Sequence, residues 1–107
     1  GAFHRAHQAV YTDDLLAADP RWGICGVSLK TPRAIAPLAA QDGLYTLLTR
    51  TGEGTSPRVI GALRETLFAG AARAQLVARF ADPRIHVVTA TVTGRFARSR
   101  NLRFLLQ

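Results

Sequence analysis

A chain of 107 residues with 48% apolar content is long enough for one small domain and too apolar for a disordered linker. One cysteine, Cys25, excludes an internal disulfide, and no apolar run approaches the ~18 residues of a membrane span, so a soluble, cytoplasmic domain is expected. The net charge of +7 invites a nucleic-acid reading, yet residues 1–93 carry ten Lys/Arg and seven Asp/Glu, a net of +3, while GRFARSRNLRFLLQ at 94–107 adds four Arg and no acid.

The chain opens GAFHRAHQAVY, with no signal-peptide pattern at its front. Phe3, Ala6, Val10 and Leu15, with Ala9 and Leu16 beside them, keep helical spacing, and Asp19-Pro20 closes a helix expected from Phe3 to about Ala18. That spacing fits an ordinary amphipathic helix and the second half of a longer motif equally well. Trp22–Leu29 (WGICGVSL) is a short apolar run with β-branched residues, the mark of a strand covered on both faces in a parallel sheet. Pro32 and Pro37 confine the next segment to a short helix or a turn. Leu44–Thr49 (LYTLLT) and Val59–Leu63 (VIGAL) read as strands, and the turn-rich RTGEGTSPR between them makes a hairpin or near neighbours. Arg64–Ala81 is alanine-rich and reads as a helix, interrupted at Gly70 and stopped by Asp82-Pro83. Ile85–Val92 (IHVVTATV) carries the strongest strand signal in the chain. No internal repeat or low-complexity segment is present.

Helices alternating with strands predict an α/β domain with a largely parallel sheet. Such a sheet normally opens on a strand, so a strand is expected ahead of Gly1. A dinucleotide-binding α/β domain begins strand, glycine-rich turn, helix, with the pyrophosphate on the helix N-terminus. Gly1 suits the second glycine of that turn, and the second strand ends at Leu29, near the usual ~20–30 residue spacing. One glycine is not a fingerprint, so spacing alone leaves both readings open.

The stretch GAFHRAHQAVYTDDLL resembles the start of the polyol-specific long-chain dehydrogenases, the mannitol 2-dehydrogenase and fructuronate (mannonate) oxidoreductase group. Those proteins carry a G-x-G-x-F-H-R-A-H turn and helix, whose second half is matched by Gly1, Phe3, His4, Arg5, Ala6 and His7. The resemblance continues through WGICGVSL, AAQDGLYTLLTR, RVIGAL and HVVTATVT, over residues 1–93 in the family's order. It implies a partial Rossmann-type, doubly wound, mostly parallel sheet lacking its first strand, with the sequence beginning inside the motif. The implied function is the cofactor-binding part of an oxidoreductase that passes hydride between a polyol or sugar acid and NAD, with NADP possible. The implied cofactor-binding residues are Gly1, Ala2, Phe3, His4, Arg5, Leu29, Lys30, Thr91, Val92 and Thr93. The family's catalytic lysine, asparagine and histidine belong to a helical substrate domain that has no counterpart in these residues, so the chain alone is expected to be inactive.

After Thr93 the family continues with a Glu-Lys-Gly-Tyr-like segment, and this chain reads Gly94-Arg95-Phe96. Residues 94–107 are therefore set apart as a basic tail, either a divergent terminus or the product of a frameshift. A nucleic-acid-binding module acting through that tail, and a non-catalytic remnant, are the competing readings.

His4 and His7 lie three apart without Cys, Asp or Glu beside them, a poor metal pair, and no metal is expected. Arg5 suits either a phosphate or a surface cap. Asp13 and Asp14, about 100° apart on a helix, read as a solvated face rather than an acid–base pair. Cys25, inside an apolar strand, reads as inert packing, and Gln41-Asp42-Gly43 as a turn. No Ser/His/Asp or Cys/His arrangement and no phosphate-binding G-x-x-x-x-G-K-[ST] loop occurs. In NAD-using domains an acid after the second strand bonds the ribose 2′-hydroxyl. Here that strand runs into Ser28-Leu29-Lys30-Thr31-Pro32-Arg33, with no acid between Gly26 and Gln41. Lys30 or Arg33 could pair with a 2′-phosphate, or both could face solvent; NAD stands as the first expectation. A sheet without its opening strand is expected to leave an edge uncovered and to be weakly stable or to associate.

Overall fold

The computed structural model describes residues 1–91; Val92, Thr93 and the tail 94–107 lie outside the described residues. Its first elements are two helices, α1 (Ala2–Ala6) and α2 (Gln8–Leu15), where one was expected. The break falls at His7, whose φ of −127° and ψ of −75° lie off the helical region. Its ring sits 4.7 Å from the Phe3 ring. Ala9 is the buried residue of α2.

Strand β1 (Ile24–Ser28) forms inside the apolar run as expected, and its partner comes from an unexpected place. It pairs in parallel with Leu63–Phe68, a segment read from sequence as the start of a helix. The residues LRETLF alternate: Leu63 and Leu67 are buried and Glu65 lies between them, while Arg64 points the other way along the pleat. β1 supplies the backbone partners, and that pairing overrides the helical propensity of the alanine-rich run that follows. The helix, α4 (Arg73–Phe80), begins only after Gly70. Its exit is bracketed at Asp82, whose carboxylate takes Arg84 at 2.7 Å.

Between β1 and its partner β4 (Leu63–Phe68) lie four elements. Pro32–Ala34 forms a 3₁₀ turn, with Thr31 Oγ1 accepting from the Arg33 N–H at 3.3 Å, and α3 (Ala36–Ala39) follows, as the two prolines led us to expect. β2 (Tyr45–Thr51) and β3 (Gly54–Ile60) then form an antiparallel hairpin, in register from Tyr45↔Ile60 to Thr51↔Gly54. The stretch expected as a nine-residue loop is thus mostly ladder, with Gly52-Glu53 as the turn. Pro57 lies opposite Leu48 in β3, which among the described residues is an edge strand, the kind of strand where a residue without an N–H is tolerated. The strand expected over Val59–Leu63 splits: Val59-Ile60 end β3, and Leu63 opens β4 (Leu63–Phe68).

Ile85–Val92 corrects the sequence reading most. Its described part, residues 85–91, joins no ladder, and Val87 and Val88 are 67% and 61% exposed. Its contacts are a backbone bond from the Ile85 N–H to the Asp82 carbonyl at 3.0 Å and two side-chain approaches: the His86 ring lies 6.1 Å from Trp22, and Thr89 Oγ1 is 2.9 Å from Gln8 Oε1. β-branched residues favour a strand only where another strand offers hydrogen bonds. Among the described residues the parallel sheet holds just β1 and β4.

The core joins these pieces: Ala9, Leu38, Ile60, Ala62 and Leu63, with Val10, Ile24, Tyr45 and Leu47 packed against them. Two polar devices close it. Asp13 Oδ1 accepts from the Gly61 N–H at 2.7 Å, and Arg58 reaches Asp13 and Asp14 at 2.8 and 2.6 Å, so this pair anchors α2 to the hairpin. Asp13, expected on a solvated face, is only 14% exposed. At Asp42-Gly43 both φ values are positive, 54° and 77°, and the Gly43 N–H bonds the Leu38 carbonyl at 2.8 Å. A Cβ on Gly43 would run into the backbone carbonyl of Leu63. No helix among the described residues is long and apolar enough to cross a membrane.

Candidate functional site

Ligands of open α/β sheets sit beyond the carboxyl ends of parallel strands. Here those ends are Ser28 of β1 and Phe68 of β4, paired in register and closed by the Ala69 N–H donating to the Ser28 carbonyl at 2.9 Å. After β1 the chain bends through Leu29 and Lys30, both exposed. The bend is fixed from both sides: Ser28 Oγ donates to the Thr31 carbonyl at 2.6 Å, and the Thr31 hydroxyl receives the Arg33 amide. After β4 the chain turns at Gly70, where a Cβ would lie 2.5 Å from the Phe68 ring. Ala71 and Ala72 both donate back to the Phe68 carbonyl.

The opening helix reaches this end of the sheet through Arg5. Its guanidinium donates to the Ala34 carbonyl at 3.4 Å, and the Tyr45 hydroxyl donates to the Arg5 carbonyl at 2.6 Å. α1 is thereby tied to the turn that follows β1 and to the base of the hairpin. Arg5, read from sequence as a phosphate contact or a surface cap, acts in this structure as a tie. Of the expected groups Gly1–Arg5 and Leu29–Lys30, only Arg5 is tied to the turn that Leu29 and Lys30 open, through Ala34. Thr91 is exposed and follows the segment held at Gln8 by Thr89; Val92 and Thr93 lie outside the described residues.

The electrostatics suit anion binding better than proton transfer. Burial first, then the neighbouring Gly1 ammonium and Arg5 guanidinium, hold His4 below the usual imidazole range, so its ring is neutral at pH 7. Cys25 is pushed up to about 11, chiefly by burial and then by Glu65, and is inert as a nucleophile. Glu65 itself is committed to Arg79 through two contacts of 2.7 and 2.9 Å. No group of three or more His, Cys, Asp or Glu side chains among the described residues is placed to hold a metal.

Sequence reasoning did not find the Arg5–Ala34 and Tyr45–Arg5 ties or the Cys25–Glu65–Arg79 cluster. The first two link positions 29 and 40 residues apart, and no local pattern announces them.

Comparison with known proteins gives this geometry a context. The model of the mannitol dehydrogenase Rossmann domain matches residues 1–106. The chain is 45% identical over 98 residues to the mannitol 2-dehydrogenase of Pyrenophora tritici-repentis, covering 87% of this chain and 17% of that protein. It superposes on Pseudomonas fluorescens mannitol 2-dehydrogenase, solved as a ternary complex with NAD and D-mannitol, with a TM-score of 0.76 and 42% identity over 85% of this chain and 20% of that one. A D-sorbitol dehydrogenase in substrate-free form gives a TM-score of 0.82 at 36% identity, covering 89% of this chain and 21% of the other. The chain spans about a fifth of the length of these relatives.

Proposed function

The chain belongs to the mannitol dehydrogenase family, of which it forms the Rossmann domain, and from that premise we propose that it binds the nicotinamide dinucleotide for an oxidoreductase acting on a polyol or sugar acid. NAD is the cofactor of this reading, as in the solved ternary complex. One observation carries it: Arg5 ties the Gly1–Arg5 segment to Ala34 in the turn after β1, at the carboxyl end of the parallel pair, while Tyr45 ties the same residue to the base of the hairpin. The donor set fits the group. That end offers exposed Lys30 and Arg33, the Thr31 hydroxyl and an apolar Leu29, and no acid occurs from Pro20 to Gln41.

The bound nicotinamide supplies the hydride acceptor or donor. The chain's own residues bind and orient. Gly1, Ala2, Phe3, His4 and Arg5 face the phosphates; Leu29 and Lys30 take the adenosine ribose; Thr91, Val92 and Thr93 line the opposite side. The neutral His4 ring serves there as a hydrogen-bonding group without adding charge. Proton transfer and polyol selection belong to a substrate domain beyond these residues, so residues 1–93 bind cofactor without turnover. The cytoplasm, which keeps a lone cysteine reduced, is the compartment of this reading.

Titrating NADH fluorescence with the chain tests the reading. Saturable enhancement, displaced by NAD, is expected. Arg5→Ala, which cuts the Ala34 tie, should weaken binding, while Arg21→Ala at the amino end of β1 should not. A DNA fragment titrated across a salt series is the counter-test. DNA binding that falls steeply with salt, with no response to NADH, would replace this reading with one based on phosphate attraction.

A further inference from the structure

We propose that Tyr45 is a positioning residue for the dinucleotide: its hydroxyl fixes the carbonyl of Arg5, and so the place of the Gly1–Arg5 segment, without itself touching the ligand. The inference rests on the dinucleotide reading above, in which that segment faces the phosphates. It adds a residue of the hairpin that acts on the ligand only through Arg5.

The opening segment needs a hold from outside. α1 is five residues long and none of them is buried. A helix that short does not sustain itself in water, where isolated helices are marginal below ~12–15 residues. It is also separated from α2. Backbone bonds run from the Arg5 N–H to Gly1 and from the His7 N–H to Phe3, then from the Tyr11 N–H to His7, with the off-helical His7 between the two helices. The Arg5 carbonyl takes its donor from another element, the Tyr45 hydroxyl at 2.6 Å. The other hold on this residue, from its guanidinium to the Ala34 carbonyl, measures 3.4 Å, at the weak end of such bonds, and starts from a long, flexible side chain. The short bond, made to the backbone itself, sets where α1 lies.

Tyr45 is suited to that task. It opens β2 opposite Ile60, which is fully buried, and its ring packs against the core around Ala9, Leu38 and Ile60. A tyrosine turns about two side-chain bonds only, so a packed ring delivers its hydroxyl with little freedom left to lose. The phenol also keeps its proton. Burial pushes its pKa above the ordinary 10.0; of the charged groups that act on it, Arg5 on α1 opposes this shift and Asp13 on α2 adds to it. At neutral pH the group is a donor, which is what a carbonyl requires. Tyr11, the other tyrosine of the chain, stands 66% exposed on α2 and provides the control.

Titration of the 107-residue chain with ADP by calorimetry, and with adenosine by magnetic resonance of the ligand, tests this. Tyr45→Phe keeps the ring and removes the hydroxyl. It should lower ADP affinity by about fivefold, the size of one neutral hydrogen bond, and leave the affinity for adenosine, which has no phosphate for the segment to face, unchanged. Tyr11→Phe should alter neither, and circular dichroism of each variant checks that it folds. A second readout leaves position 45 intact. If phosphates bind the segment that Tyr45 holds, their binding must strengthen that hold in return, and a phenolate has no proton to donate. In the Tyr11→Phe chain, where Tyr45 is the one remaining tyrosine, alkaline titration by absorbance should show the phenol ionising at higher pH with ADP bound than without it. If Tyr45→Phe leaves ADP binding unchanged, if ADP and adenosine weaken by the same factor, or if the phenol ionises at one pH in both states, Tyr45 is a packing residue alone. The proposal then fails while the dinucleotide reading stands. If the unaltered chain binds neither ADP nor NADH, the dinucleotide reading fails and takes the proposal with it.

Discussion

Gly43→Ala should be among the most damaging single-methyl additions to this chain, and the cost follows from its surroundings. Gly43 has a φ of 77°, which penalises any Cβ by about 1–2 kcal/mol. The added methyl then meets the carbonyl of Leu63, which is 2% exposed and paired to Ile24 at the start of β4, so the oxygen has no room to turn away. Either β4 shifts off β1 or the turn opens. Opening it breaks the 2.8 Å bond from Gly43 to the Leu38 carbonyl, worth about 1 kcal/mol, and loosens Leu38 in the core for about 1–2 kcal/mol more. The total is about 3 kcal/mol or more, a large share of the ~5–15 kcal/mol that holds a domain together. Urea unfolding followed by the fluorescence of Trp22 should show the midpoint falling by about 1–2 M. Gly52→Ala, in open space at the hairpin turn, should move stability by less than ~0.5 kcal/mol. Asp42→Gly, which removes a Cβ from a φ of 54°, should be neutral or mildly stabilising. A Gly43→Ala midpoint within error of Gly52→Ala would refute the argument, because the turn would then have opened without loss.

Asp13→Ala leaves the Gly61 N–H unpaired beside the core and should cost about 2 kcal/mol, while Asp13→Asn keeps an acceptor for that amide and should cost less. Burial raises the Asp13 carboxyl, but the Gly61 amide and Arg58 together outweigh it and hold the group below its ordinary 3.8. Its folded value is thus below its unfolded value, so its contribution is full above about pH 4 and is lost as pH falls through the depressed folded value; Asp13→Ala should flatten stability in that acid range. Cys25, pushed to about 11, should resist thiol reagents at pH 8 in the folded chain and react at the ordinary rate in urea. Fast labelling of the folded chain would show that the strand does not shelter the sulfur.

Legibility from sequence divides along the range of the forces involved. β1 could be read because a short apolar run bounded by a glycine and a polar turn has few other fates. The stops at Asp19-Pro20 and Asp82-Pro83 and the turn at Asp42-Gly43 could be read because Asp, Pro and Gly act on their own backbone. β4 could not: LRETLF becomes a strand because β1, some forty positions earlier, offers it hydrogen bonds. Ile85–Thr91 errs the other way, a strand pattern with no strand beside it among the described residues. The break at His7 falls where no Gly or Pro marks it, and it divides a helix that spacing made continuous. In the candidate site, Leu29 and Lys30 could be placed at the end of β1 because a strand's end is legible; their role was an expectation. Arg5 was found by resemblance, and its tie to Ala34 only by tertiary packing.

The passage from β3 to β4 occupies two residues, Gly61 and Ala62, and in that space the chain leaves an antiparallel ribbon and enters a parallel pair. Ile60, Ala62 and Leu63 are all buried around this crossing, and Asp13 fastens its amide. Both sheets therefore open together or not at all at this point, whereas the far end of the ribbon can fray without disturbing either. Amide exchange should record this as a gradient along a single strand, from minutes-scale loss of protection near Thr55 to the slowest protons of the chain at Ile60 and Leu63. A tag or an inserted loop belongs at Gly52-Glu53, where the molecule would scarcely register it; the same insertion ten residues later would separate one sheet from the other.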